Sequence, residues 1–412
     1  MQVRRYDPER DRGAVHRIWR EIGWLGDEGT AREALDTWVS AGDAHVALVS
    51  GEAECLVLTS PGTLRYLDEA LPFAGVTGVA TGRIARKQGF ATRLTAAALA
   101  EQAAAGAAVA GLGMFDQGFY DRLGMGTGAY EHTWAFDPAR LRVSGRPRMP
   151  RRLSVADAAE VHAARLARWR AHGSLSMLPV ELTKGEMLEG GEKAFGLGYA
   201  DGEGGALSHF CWIRAESQEH GPYRIMFYAY RNGNELLDLL RMVKALGDQV
   251  DRVTMPEPPG ILLQDLIEQP FRQSRIAGQS RVPVGIRASA YWQCRILDVT
   301  SCVSRLRLPT GQLAFNLELV DPIVDYLPES SGWRGIGGDY RVDLGAESTI
   351  VRGHDVRLPT LKAGVGAFSR LWLGSATAYG LATTDRLQGP DDLLAQLDRL
   401  LRLPRPSLDW DL

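Results

Sequence analysis

The sequence predicts an α/β (α+β) protein made of three successive units, residues 1–145, 146–285 and 286–412, the first two being tandem mixed-sheet units and the second a degenerate copy. Three observations lead there. At 412 residues and 45% hydrophobic content, the chain exceeds what one core supports, since domains average about 150 residues. Strand-like and helix-like patterns alternate through the first unit and return in the same order in the second. Between them, the run Gly145-Arg146-Pro147-Arg148-Met149-Pro150 has the composition of a linker.

In the first unit, a strand over residues 2–5 precedes a helix over 11–22, whose Val15, Ile18, Trp19 and Ile22 mark one buried face and whose Arg12, Arg17 and Arg20 face solvent. Strands follow at 44–49 and 55–59, joined by Ser50-Gly51-Glu52, and a third spans 76–81. An alanine-rich helix runs from Gly89 to about Gly106, and residues 107–114 read as a strand buried on both faces. In the second unit, a helix is expected over 155–171, strands at 195–200, 205–214 and 223–230, and a helix at 234–246. No glycine-rich helix start follows Tyr230, where Pro256-Glu257-Pro258-Pro259-Gly260 stands instead. The third unit predicts strands at 304–308, 313–320 and 339–344, then helices at 361–373, 375–383 and 391–401, the last opening on Pro390 with Asp391 and Asp392. The tail, 404–412, is not expected to be helical.

Composition excludes several functions. Forty-seven basic against fifty acidic side chains leave a formal charge of -3, so neither nucleic acid nor an anionic membrane is an expected partner. The charged start, Met1 to Arg12, lacks the apolar core of a secretory leader, and a cytoplasmic location is expected. Cys55, Cys211, Cys294 and Cys302 are scattered and read as buried thiols, and the eight histidines form no H-E-x-x-H spacing, so no metal is expected.

Two segments carry chemistry. From Val79 through Thr81 to Arg86-Lys87-Gln88-Gly89-Phe90-Ala91, a strand end feeds a loop that becomes the first turn of a helix. Orphan N–H groups and the positive end of the helix dipole converge at such a turn, and small residues let a phosphate approach the backbone. This segment resembles the R/Q-x-x-G-x-G/A signature of the GNAT superfamily of N-acetyltransferases. The resemblance implies acetyl-CoA as acyl donor, with its pyrophosphate on Arg86, Lys87, Gly89, Phe90 and Ala91 and its pantetheine arm along Val79 and Thr81. Downstream, Phe119-Tyr120-Asp121-Arg122-Leu123-Gly124-Met125-Gly126 resembles that superfamily's F/Y-Y-x-R-x-G-F/Y-G motif. Tyr120 is then the candidate general acid for the departing thiolate, or an aromatic that packs in the helix core or on the arm.

The order of parts resembles the enhanced intracellular survival (Eis) type acetyltransferases, which join two GNAT-like units to a sterol-carrier-protein-like α+β domain. Tyr6-Asp7-Pro8-Glu9-Arg10-Asp11, Ser369-Arg370-Leu371-Trp372-Leu373-Gly374 and the Pro-rich ending fall in the expected order. This implies that the Leu412 carboxylate reaches the active site as general base or electrostatic anchor, with Asp411 and Asp409 as further contacts for a cation. An α-carboxyl of about 3.3 to 3.7 is a poor base for an ammonium near 10. Trp24, Asp27 and Glu28 either line the acceptor pocket or stand on a surface loop. Gly82, Arg83 and Met125 depart from the family pattern, which leaves the acceptor open. Arg165, Arg168, Arg170 and His172 read as a solvated helix face. The expected function is acetyl transfer to a primary amine of an aminoglycoside- or polyamine-like cation or of a lysine. The alternative is a non-catalytic carrier or sensor binding CoA and lipid. The resemblance also implies a homo-oligomer, a hexamer.

Overall fold

The computed structural model describes residues 2–26, 29–270 and 284–412. Asp27 and Glu28 lie outside the described residues. The first sheet runs in the order β1-β2-β3-β4-β5-β15-β6, where β1 is Gln2–Arg5, β2 Asp43–Val49, β3 Glu52–Tyr66, β4 Glu69–Thr81, β5 Val109–Gly113, β6 Gly126–Thr127 and β15 Trp292–Ile296. The second runs β14-β7-β13-β12-β11-β10-β8, where β7 is Glu131–Phe136, β8 Arg151–Leu153, β10 Ala194–Tyr199, β11 His209–Ala215, β12 Tyr223–Ala229, β13 Val253–Pro256 and β14 Gly285–Ser289. The third runs β18-β17-β16-β19-β20, with β16 at Leu313–Val320, β17 at Gly338–Leu344, β18 at Thr349–Arg352, β19 at Thr360–Gly364 and β20 at Leu387–Gln388.

Helices α1 (Pro8–Glu21), α2 (Gly29–Val39) and α3 (Phe90–Ala104) cover the first sheet, and α4 (Ala158–Ala167), α5 (Val180–Glu189) and α6 (Gly233–Ala245) belong to the second unit. The third unit carries α7 (Val299–Ser304), α8 (Val365–Trp372), α9 (Ala378–Thr384) and α10 (Asp391–Leu400). Local sequence explains the starts. Asp7 accepts the Glu9 N–H at 3.0 Å with Pro8 beside it, so α1 begins three residues before the expected position. Its face of Val15, Ile18 and Trp19 is buried as the spacing required. Among the described residues no helix is long and apolar enough to cross a membrane.

The boundaries at 145 and 285 are not sheet boundaries. β7, from the first unit, pairs with β13 and β14 of the second sheet. A short strand, β9 (Leu175–Met177), leaves the second unit to pair with β3, and β15 from the third unit enters the first sheet between β5 and β6. The physical reason is edge satisfaction: the far side of β5 would otherwise present unpaired amides, and β15 is buried at all five positions, as an inner strand should be. Two local expectations also fail. Residues 304–308 form no strand: Ser304 ends α7, whose start Asp298 caps by accepting the Ser301 N–H at 3.0 Å, and a turn follows. The expected helix over 361–373 divides into β19, paired in parallel with β16, and α8. α2 and α5, which the sequence did not announce, pack together, with the Trp38 ring against Gly185.

Buried polar groups lock the units. Arg295 on β15 is fully buried and donates to Asp321 Oδ2 at 2.6 Å and to the Leu123 carbonyl, while Asp321 also accepts the Ile336 N–H at 2.9 Å. Tyr66 stacks on Trp372 at 4.3 Å and donates to its carbonyl. His172 accepts the Leu67 N–H through Nδ1 and donates to the Leu373 carbonyl through Nε2, touching all three units. Breaking a buried ion pair strands one charge and costs about 3–5 kcal/mol. Arg295→Met should therefore lower unfolding free energy by about that amount in urea titrations, and a loss below about 1 kcal/mol would show that Asp321 is rehydrated instead.

Candidate active site

The site is built where β4 and β5 part. Their parallel pairing covers Phe73–Val76 against Val109–Leu112 and stops, whereas β4 continues beside β3 to Thr81. Gly78 to Thr81 therefore run on without a partner strand on the β5 side, leaving a backbone edge that an extended chain can pair with. Val79 lines the cavity that opens there, while the Thr81 hydroxyl lies 3.4 Å from Cys55 Sγ on the sheet face, so only its backbone remains for this edge.

Past β4 the chain turns at exposed Arg86 and Lys87, the latter at φ 61, and enters α3 from Gly89 at φ 78. No side chain caps this helix start, so the first-turn N–H groups at Phe90 and Ala91 have no intrahelical acceptor. A helix start with free amides and mobile positive charge fits a pyrophosphate.

Tyr120 is 2% exposed, its ring edge-on to Phe119 at 4.8 Å, and it lines the same cavity as Val79. Burial, with a smaller contribution from Cys55, pushes its hydroxyl well above the usual tyrosine value, so it stays protonated at neutral pH. The turn that carries it is held from β15. The Leu123 N–H bonds the Tyr120 carbonyl at 2.9 Å, Arg295 bonds the Leu123 carbonyl, and Gln293 Nε2 donates to Asp121 Oδ1 at 2.8 Å.

The C-terminal tail completes the wall. The Leu175 N–H donates to the Leu408 carbonyl at 3.0 Å, and Arg168 donates twice to the Asp409 carboxylate, at 3.0 and 2.8 Å. Trp410 is 3% exposed beneath the Arg165 guanidinium, 3.6 Å from its ring centre, and Arg165 pairs in turn with Glu186 at 2.7 Å. Arg165, Arg168 and His172 are thus buried and not a solvated face; their partners lie some 240 positions away in sequence for Arg168. Held this way, Leu412 reaches β5. A Cβ on Gly113 would collide with the Leu412 backbone oxygen, and one on Gly75 would sit 3.0 Å from Leu412 Cδ2. Only glycine permits that approach.

Acidic groups gather beside it. The Tyr291 hydroxyl donates to Asp411 Oδ1 at 2.5 Å and is within hydrogen-bonding reach of Glu131, and the Tyr291 carbonyl accepts the Met114 N–H at the end of β5. Burial first, then Asp411 and Asp409, push the Glu131 carboxyl up to about 7 against hydrogen bonds that favour its ionised form. Sequence reading missed Glu131, since one glutamate opening a strand carries no motif. Trp24, half exposed, meets Trp19 edge-on at 5.9 Å and lines the cavity, which encloses about 2150 Å³ with walls from both tandem units and the tail. The structure therefore brings together Val79, Tyr120, Trp24, Asp411 and Leu412, with Arg86 to Ala91 at the exposed start of α3 beyond them. Among the described residues, Asp201, His209 and Asp238 have a spacing that suits a metal, but Arg148 already pairs with both carboxylates, at 2.6 and 2.9 Å.

Residues 9–128 match the acetyltransferase (GNAT) domain family. A search of curated proteins found no match. Among solved structures, the chain is similar along its whole length to a probable N-acyltransferase from Enterococcus faecalis V583, at 18% identity and TM-score 0.78, covering 100% of this chain and 99% of that one. It is similar to a GCN5-related N-acetyltransferase from Anabaena variabilis ATCC 29413, at 14% identity and TM-score 0.76, and to Eis1 from Mycobacterium abscessus, at 18% and 0.73, with 100% of both chains covered in each case. Residues 9–128 thus resemble a GNAT acetyltransferase domain, and the chain shares its three-sheet fold with these structures from end to end.

Proposed function

We propose that this protein moves an acetyl group from acetyl-CoA to a primary amine, on a small cationic molecule of aminoglycoside or polyamine type or on a lysine, in the cytoplasm. The observation that carries the reading is the Leu412 carboxylate packed against Gly113 at the strand divergence, in the same cavity as Tyr120. The names of the similar structures, N-acyltransferases and Eis1, point the same way. A homo-oligomer, as the resemblance implies, belongs to this reading and is measurable by light scattering.

Acetyl-CoA supplies the activated thioester. The edge Gly78 to Thr81 receives its extended arm as an added strand would be received, and the amides at Phe90 and Ala91 with Arg86 and Lys87 meet its phosphates. Leu412 and Asp411 draw the cationic acceptor to the divergence. Trp24 covers its apolar side. Tyr120, protonated at neutral pH, gives its proton to the departing sulfur. In the third unit, Phe315, Leu317, Leu361 and Trp372 are at most 1% exposed and share one core with Tyr66 and Phe73 of the first sheet, which favours transfer over carriage of an apolar ligand.

Three outcomes test this. Thiol release from acetyl-CoA with a panel of amines should be faster than without acceptor, and Arg86→Ala should raise the KM for acetyl-CoA about tenfold, the loss of about 1.4 kcal/mol expected for one charged hydrogen bond. Tyr120→Phe should lower kcat by about a hundredfold or more while acetyl-CoA affinity stays at the wild-type level; weakened affinity with normal turnover would make Tyr120 a packing residue. Adding a few residues after Leu412 moves the carboxylate away from Gly113 and should cut kcat at least tenfold, and full activity in that extended protein would remove Leu412 from the mechanism.

A further inference from the structure

We propose that Glu131 takes the proton from the acceptor amine, with the Tyr291 hydroxyl linking it to the C-terminal residues that hold the ammonium. This rests on the transferase reading above. An amine must lose a proton before it attacks, and the best base has a value near the working pH. The terminal carboxylate fails that requirement: its reference value of about 3.3 to 3.7 lies far below an ammonium near 10, and its charge favours the protonated amine. Leu412 is suited to binding the cation and unsuited to neutralising it.

Glu131 differs in position and surroundings. It opens β7, opposite Ser289 of β14, is half-buried, and lines the cavity with Tyr120 and Leu412. Tyr291 stands between Glu131 and Asp411, within hydrogen-bonding reach of both. The charges around it are accounted for. From the tail come Asp411 and Asp409, the latter already paired with Arg168, and Arg405, which donates to the Tyr130 carbonyl. On its own strand His132 is taken by Glu257 at 2.9 Å, and β14 adds Arg287 opposite Thr133. Burial and the two tail aspartates raise the Glu131 carboxyl to about 7, where it both accepts a proton and returns it to solvent.

The proton balance closes. One proton of the ammonium passes through Tyr291 to the Glu131 carboxylate, and the amine nitrogen bonds the acyl carbon. As the carbon–sulfur bond breaks, sulfur takes the Tyr120 proton, and the second proton leaving nitrogen restores Tyr120. Glu131 releases its proton to water. The net products are amide, free thiol and one proton.

The test is the pH dependence of kcat/KM for Glu131→Gln beside the wild type, with two acceptors of different amine basicity. The wild type should show a limb rising tenfold per pH unit up to about 7, at the same position for both acceptors. Glu131→Gln should lose that limb and fall about a hundredfold at pH 8, with acetyl-CoA affinity unchanged. Misfolding is separable by sign. Because the native carboxyl is raised from 4.5 to about 7, the native state binds more protons across that window and stability falls as pH rises through it, so the glutamine variant should melt no lower than wild type at pH 8. A limb that survives in Glu131→Gln, or follows the acceptor, overturns the role of Glu131 while leaving the transferase intact. A wild type inactive with every amine overturns the transferase reading and this role together.

Discussion

The parallel pairing of β4 with β5 lasts four residue pairs and then ends, and the candidate site depends on that divergence. A sheet that stayed zipped would have no free backbone edge at Gly78 to Thr81 and no place for Leu412 at Gly113. What keeps β5 from following β4 is its other neighbour. β15 pairs with all of β5, from Val109 to Gly113, and fixes its course with a strand from a distant part of the chain. The same strand sends Gln293 and Arg295 to the turn that carries Tyr120, so one insertion shapes the opening and steadies that turn.

The second unit contributes by holding. It has no glycine-rich helix start, yet Arg168 beside α4 grips Asp409, Arg165 covers Trp410, and the edge of β9 binds the tail backbone. Immobilising a chain end costs conformational entropy of the order of 1–2 kcal/mol per residue, and the charge-assisted bonds of a buried guanidinium with a carboxylate offset part of it. In this way the second unit's helix anchors the tail in the cavity beside the first sheet.

Electrostatics divide the labour inside that cavity. Burial, with a smaller contribution from Cys55, raises the Tyr120 hydroxyl, and burial together with neighbouring carboxylates lifts Glu131 toward neutrality. Asp411 is exposed and Leu412 half-buried at the end of the tail. In the proposed mechanism, donor, acceptor and cation anchor are thereby distinguished by environment rather than by residue type, since three of the four groups are carboxylates.

The sequence by itself determined what depends on neighbours along the chain. The apolar spacing of Val15, Ile18 and Trp19 specified α1, the alternation of patterns specified an α/β fold, and the turn from Arg86 into α3 was legible because its geometry is local. Tertiary structure alone decided what depends on partners far apart. The split of the 361–373 segment into β19 and α8 follows from pairing with β16, the strand exchange by β7, β9 and β15 from sheet edges that must be filled, and the burial of Arg165 and Arg168 from a tail some 240 residues away. Glu131 gains its raised carboxyl only when folding removes its water and brings Asp409 and Asp411 beside it, and a charge environment assembled from three distant segments leaves no pattern in any one of them.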